Sequence, residues 1–258
     1  MNKTSCEIKA YWENRASTDS TAQSTTMDIW LRYIEAEYIK KSIHRYQPKM
    51  ICDVGCGDGL TTINCAKENP SINFFGFDYS ESMIRNAERN ANFHQVNNVS
   101  FSKNDIAQNL IGQSFDFIFT TRCLINLENW HSQRVALDNI YKGLSSGGIY
   151  LMIENFQEGQ DLFNSVRREF GLSEIAVRDH NYFFERPRLF DYLAKKFEIL
   201  EEVNISSTYY LVSRIIYSSI CSDNRELPNY NDIHHQLAAK LPFVGEYGPV
   251  KAIILRKI

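Results

Sequence analysis

Residues 50–60, MICDVGCGDGL, decide how the rest of the chain is read. A short apolar run reaches an acid at Asp53, glycines alternate at Gly55, Gly57 and Gly59, and a segment of helical character follows from Leu60. That order predicts a buried parallel strand, a glycine loop and a helix. Glycines in such a turn accept positive φ and let the backbone approach a ligand, while the helix start offers unpaired N–H groups. A nucleotide-like cofactor over the carboxyl end of the strand is the expected occupant.

Spacing narrows the choice of cofactor. The dinucleotide fingerprint G-x-G-x-x-G, counted from Gly55, requires glycine at position 60, where Leu60 stands, and no Gly-Lys-Ser/Thr follows to make a phosphate-cradling loop. What remains is D-x-G-x-G-x-G, whose acid repels a pyrophosphate and favours a cationic amino-acid moiety. In these residues the sequence resembles the class I S-adenosylmethionine-dependent methyltransferases. The resemblance implies S-adenosyl-L-methionine as cofactor, with Asp53, Gly55, Gly57 and Gly59 around it. It also implies an α/β fold: a Rossmann-like, doubly wound seven-stranded sheet with the last strand antiparallel and helical insertions forming a cap.

At 258 residues the chain suits one such domain with insertions. Residues 1–46 are expected to be an N-terminal helical lid and 47–155 the cofactor-binding core. Residues 156–248 hold substrate-side insertions around strand six, and 249–258 the closing strand. Lys and Arg total 28 against 31 Asp and Glu, a net charge of −3 without a basic run, which disfavours nucleic acid as a partner. The N-terminus lacks an apolar signal region and no run approaches the roughly 18 apolar residues of a membrane span, so a cytoplasmic protein is expected. Six scattered cysteines without a C-x-x-C pair suit reduced thiols in or near the core.

Residues 28–46, DIWLRYIEAEYIKKSIHRY, carry helical periodicity that sets Ile29, Trp30, Tyr33, Ile34 and Tyr38 on one face. Before them lies YWENRAS. Similar segments of the resembling family fold over the cofactor, which implies contacts from Trp12 and Arg15, with Tyr11 beside them, to its methionine part. The next strand, SINFFGFDYS, ends at Asp78, nineteen positions after Gly59, near the spacing at which an acid meets ribose hydroxyls. Tyr79 follows and is placed against the cofactor. After the third strand, NVSFSKNDI, the resemblance assigns the adenine contacts to Asn104, Asp105 and Ile106. The fourth strand opens at Thr121 and Arg122, where cofactor and substrate meet; Thr121 is assigned to the cofactor side. No N-P-P-Y or D-P-P-Y stands there, which counts against amine methylation of nucleic acid bases.

Methyl transfer to a hydroxyl benefits from a base beside the acceptor. Three groups sit in segments expected above the strand ends: His180 beside Asp179, His131, and Glu154 at the end of strand five. Arg122 and Arg214, with Tyr209, belong to the substrate side, and arginines there hint at an anionic acceptor. No metal is expected, because the His and carboxylate residues are scattered. RCLINL, the strand ending in IEN, and SSTYYLVSR resemble methyltransferases encoded among bacterial surface-polysaccharide (capsule and O-antigen) genes. That second resemblance implies O-methylation of a sugar or of a phosphorylated or phosphoramidate glycan precursor. A small metabolite, lipid or peptide as acceptor, a catalytically inactive cofactor-binding module and an NAD-dependent reductase stand as alternatives.

Overall fold

The structure, a computed structural model, describes residues 3–18, 25–229 and 232–258. Two helices, α1 (Ser5–Thr18) and α2 (Ile29–Tyr46), precede the sheet. The Asp28 side chain caps α2 by accepting the Leu31 N–H, and Gln47 in the left-handed conformation stops it before Pro48. The buried face of α2 is Leu31, Ile34, Glu35, Ile39, Ser42 and Ile43, while Ile29 and Tyr33 are 42% and 40% exposed. The expected apolar face is therefore rotated. An acid, Glu35, lies within the true buried stripe and hid it from a count of apolar positions.

Five strands follow, with helices between all but the third and fourth: β1 (Met50–Val54), α3 (Leu60–Glu68), β2 (Asn73–Asp78), α4 (Glu81–Phe93), β3 (Val99–Lys103), β4 (Phe115–Thr121), α5 (Trp130–Gly143) and β5 (Leu144–Asn155). Helices α6 (Gln157–Glu169) and α7 (Arg186–Leu193) lead into β6 (Phe197–Val203). Next come α8 (Ser207–Tyr210), a π-helical turn over Leu211–Ile216, α9 (Tyr217–Asp223) and α10 (Ile233–Ala238), and β7 (Val250–Lys257) closes the chain.

Strand order across the sheet is β3-β2-β1-β4-β5-β7-β6. β1 to β5 pair in parallel, and β7 runs antiparallel to both β5 and β6, as the sequence predicted for the last strand. Side chains alternate between the two faces. Ile51, Phe117, Phe119, Leu151 and Ile153 pack beneath α2 and the 205–239 segment, whereas Cys52, Val54, Ile118, Tyr150 and Met152 pack on α5 and α7. Because the chain winds outward from β1 in one direction and from β4 in the other, the carboxyl ends of these neighbours open on a crevice. All six cysteines are free.

Candidate active site

The glycine loop is tied to the end of β2. Gly55 and Cys56 donate their N–H groups to the Phe77 carbonyl at 2.7 and 3.0 Å, and Gly57 donates to Asp78 Oδ2 at 3.0 Å. Asp78 Oδ1 accepts the Ser80 N–H at 2.9 Å. Gly55 has φ +79°, and a Cβ on it would stand 2.3 Å from Cys123 Sγ, so both backbone angle and space require glycine. Asp53 lies buried beneath the loop with Thr62 as hydrogen-bond partner. Burial pushes the Asp78 carboxyl up to about 6 against the hydrogen bonds of Ser80 and Gly57. Burial, aided by the Asp78 charge, pushes Asp53 up to about 7.

A cavity of 370 Å³ begins at this loop and continues under residues 175–183. Its first half is lined by Trp12, Arg15, Asp53, Gly55, Gly57, Asp78, Tyr79 and Thr121, all read from the sequence as cofactor residues. Four others so read stand outside it. Gly59 starts α3, with a Cβ there blocked by Ala87 and Phe101. The Asn104 amide turns to the Leu110 carbonyl, and Ile106 is buried with its carbonyl on the Asn139 side chain. Asp105 is ion-paired with Lys9 of α1 and accepts the Ala107 N–H at 3.1 Å. These three loop residues, assigned to the adenine, thus stand off the cavity wall: Asp105 is held by Lys9 and its own turn and the Asn104 amide nitrogen by Leu110, while Asn104 Oδ1 is buried without a partner among the described residues.

The second half of the cavity holds one of the three expected bases. His180 is buried, stacked on Tyr11 with ring centroids 4.5 Å apart, and its Nδ1 stands 3.4 Å from Asp179 Oδ1. Burial and the Arg178 charge hold it below the usual histidine range despite Asp179. His131 is exposed in the first turn of α5, off the cavity. Glu154 is fully buried, and its two oxygens accept the N–H groups of Cys123, Leu124 and Ile125 at 3.1, 2.9 and 3.2 Å. It anchors the loop after β4 and, unlike His180, does not line the cavity.

Charged pairs form the floor. Arg122, with φ +49° at the end of β4, lies with its Nε 2.7 Å from Oε1 of buried Glu35. Arg214, carried by the π-helical turn, pairs with Asp28, the α2 cap. Tyr209 does not line the cavity: it is buried and donates its hydroxyl to Asp28 at 2.6 Å, while its neighbour Tyr210 faces the space instead. Asp28, Glu35, Asn155 and Tyr210 escaped sequence reasoning. Only Asp28 carried a local signal, as an acid opening a helix.

Fold and crevice define an α/β protein built to hold a nucleotide-like cofactor at its switch point. The chain belongs to the methyltransferase domain family, whose model matches residues 47–204, and S-adenosylmethionine is that family's cofactor. It is 32% identical over 123 residues to a malonyl-[acyl-carrier protein] O-methyltransferase of Bacillus cereus, covering 46% of this chain and 44% of that protein. It is 27% identical over 164 residues to a release factor glutamine methyltransferase of Flavobacterium psychrophilum, covering 61% and 52%. The matched stretch thus spans about half the length of these relatives. Among solved structures, the fold is shared with magnesium protoporphyrin IX methyltransferase (ChlM) of Synechocystis PCC 6803, at TM-score 0.63 and 13% identity over 98% of this chain and 99% of that one. The N-methyltransferase NodS of Bradyrhizobium japonicum WM9 follows at TM-score 0.60 and 15% identity over 97% and 98%.

The residues of the first half fit the cofactor. Asp78 offers a half-buried carboxylate for paired hydroxyls, and the Tyr79 and Thr121 hydroxyls are buried without a hydrogen-bond partner among the described residues. Among those residues no group of three or more His, Cys, Asp or Glu could hold a metal ion, and no helix is long and apolar enough to cross a membrane.

Proposed function

We propose that this protein transfers the methyl group of S-adenosylmethionine to a hydroxyl of a small, glycan-related acceptor, with His180 as the general base. Supporting this is one observation above the others: a single cavity joins the glycine loop and Asp78 to His180. Asp78 and the Gly55–Gly57 backbone hold the nucleoside part, and Trp12 and Arg15 of α1 close over the amino-acid part as a lid. Bound there, the cofactor supplies a methyl carbon activated by its sulfonium.

The remaining work falls to the chain. Asp179 beside Nδ1 favours the proton on that nitrogen and leaves Nε2 as the lone pair. Burial keeps the ring neutral at pH 7, so Nε2 accepts the proton of the acceptor hydroxyl as the oxygen becomes a nucleophile. Residues 175–183, with Tyr210 and Arg214, wall the acceptor off from water. The similarity of RCLINL and SSTYYLVSR to enzymes of surface-polysaccharide gene clusters supports a role in capsule or O-antigen synthesis in the cytoplasm. Small metabolites, lipids and peptides are the alternative acceptors.

The test is transfer of labelled methyl to a panel of sugars, sugar phosphates and small metabolites. His180→Ala is expected to lower turnover by about 10²-fold or more while binding of S-adenosylhomocysteine is retained. Unchanged turnover in that variant would remove His180 from the reaction.

A further inference from the structure

We infer that the acceptor half of the cavity is a subsite for an uncharged molecule bearing several hydroxyl or amide groups, and that it rejects anions. The inference rests on the methyl-transfer reading only for what is done with the bound molecule. Arginine on this side of the site suggested an anionic acceptor from sequence, but the structure gives each cavity arginine of the floor its own acid. Arg122 lies against Glu35 through Nε at 2.7 Å and Nη2 at 3.1 Å, and Arg214 lies against Asp28. Glu35 is 1% exposed and Asp28 9%. A phosphate or carboxylate entering here would meet each guanidinium already neutralised and two buried carboxylates beside it, a repulsion strengthened by the low local dielectric.

Arg122 Nε and Glu35 Oε1 face each other at 2.7 Å without a hydrogen bond, so each is matched by the other's charge, and the remaining open group on this side is neutral. The Asn155 side chain is 7% exposed, and its Oδ1 has no hydrogen-bond partner among the described residues. Tyr210 stands among Arg122, Glu35, Arg214 and Asp28 and lines the same space. Buried polar groups in proteins are generally satisfied, so an unfilled amide oxygen at a cavity wall marks a place for a ligand's own donor. The paired guanidinium of Arg122 keeps N–H bonds beyond the two that face Glu35, enough to donate to a hydroxyl without attracting a charge. Arg178 also lines the cavity and forms no ion pair among the described residues. It is exposed at the rim, where water screens its attraction for an anion.

Inorganic phosphate is the direct probe, titrated by calorimetry into the full chain saturated with S-adenosylhomocysteine. Wild type is expected to show no saturable phosphate binding at low millimolar concentration, whereas Glu35→Gln, which strips Arg122 of its counter-charge, binds phosphate about tenfold more tightly or better. Sub-millimolar binding by wild type that Arg122→Met abolishes would overturn the inference. Should Glu35→Gln fail to fold, as judged by circular dichroism, wild type and Arg122→Met decide between these results. A second arm offers methyl glycosides and their 6-phosphates with labelled cofactor. Label on the uncharged members at tenfold or more over their phosphates is expected; label on the phosphates alone, or on neither, counts against it. Calorimetry of S-adenosylhomocysteine on the same preparation separates the two levels: its failure removes the methyl-transfer reading and leaves the phosphate result standing.

Discussion

Tyr11 of α1 lies flat against His180, the ring centroids 4.5 Å apart and the planes inclined by 24°. Trp12 meets the same imidazole edge-on at 5.8 Å, and Lys3 reaches the Asp179 carboxylate at 3.2 Å. The groups that seat the imidazole therefore come largely from the N-terminal segment, 168 to 176 residues away in sequence. The charges around the ring are Asp179, Arg178 and Lys3.

Removing that seat has a defined consequence. Tyr11→Ala exposes His180 to water and relieves the burial that lowers its pKa, so the imidazole titrates closer to 6.5. Proton NMR of the His180 ring across pH 5 to 8 is expected to show an upward shift in Tyr11→Ala and a smaller one in Tyr11→Phe. An unmoved titration would mean the stack does not set the environment of the ring.

Three carboxyls with raised pKa values, two of them fully buried, make ligand-free stability pH-dependent. Burial raises Asp78 to about 6, and Asp53 and Glu154 each to about 7. Each keeps its proton in the folded state at a pH where the unfolded chain has lost it. Their contribution is full below the unfolded values near 4 and is lost as pH rises through 6 and 7. The lowered pKa values of His180 and His235, and of acids such as Asp138 and Glu202, act in the opposite sense, but their shifts are smaller than those of the three raised acids. Tm of the ligand-free protein is expected to be higher at pH 5 than at pH 8 by roughly 5 °C. A Tm rising steadily to pH 8 would contradict the burial of these acids.

Gly55 tests the closeness of the two switch-point loops. Gly55→Ala adds a methyl 2.3 Å from Cys123 Sγ at φ +79° and is expected to cost about 2–4 kcal/mol in urea denaturation. Gly147→Ala has a similar φ of +71° with nothing within 4 Å, so backbone strain alone, about 1 kcal/mol, is expected there. Equal costs would mean that the two loops do not touch.

Glu154→Gln separates anchor from base. As the acceptor of three N–H groups from the 123–125 loop, its loss is expected to cost about 2–3 kcal/mol and to speed hydrogen exchange at Leu124 and Ile125. A variant as stable as wild type but without turnover would support the base assignment.

The parts of this protein legible in its sequence are those written in short stretches. The strand, glycine loop and helix of residues 50–60 and the acid closing β2 follow from local rules, and both lie where they were expected. The floor of the cavity does not. Glu35 meets Arg122 across 87 residues and Asp28 meets Arg214 across 186, and each acid looks like an ordinary helix residue until the partner is known. Reading arginines without their counter-ions is what made the pocket look cationic. Glu154 is a different case: a carboxylate at a strand end suits catalysis and backbone anchoring equally, and the three converging N–H groups become visible only in the fold.

The central claim is that the nucleoside of the cofactor is gripped by Asp78 at the tip of β2. Calorimetric titration of S-adenosylhomocysteine into wild type and Asp78→Ala at pH 7.5 tests it most directly. Saturable one-to-one binding by wild type, weakened about 30-fold or more in the variant, is expected from the loss of a charged hydrogen-bonding partner. Equal affinity in the two proteins, or no binding by wild type at high micromolar concentration, would contradict it.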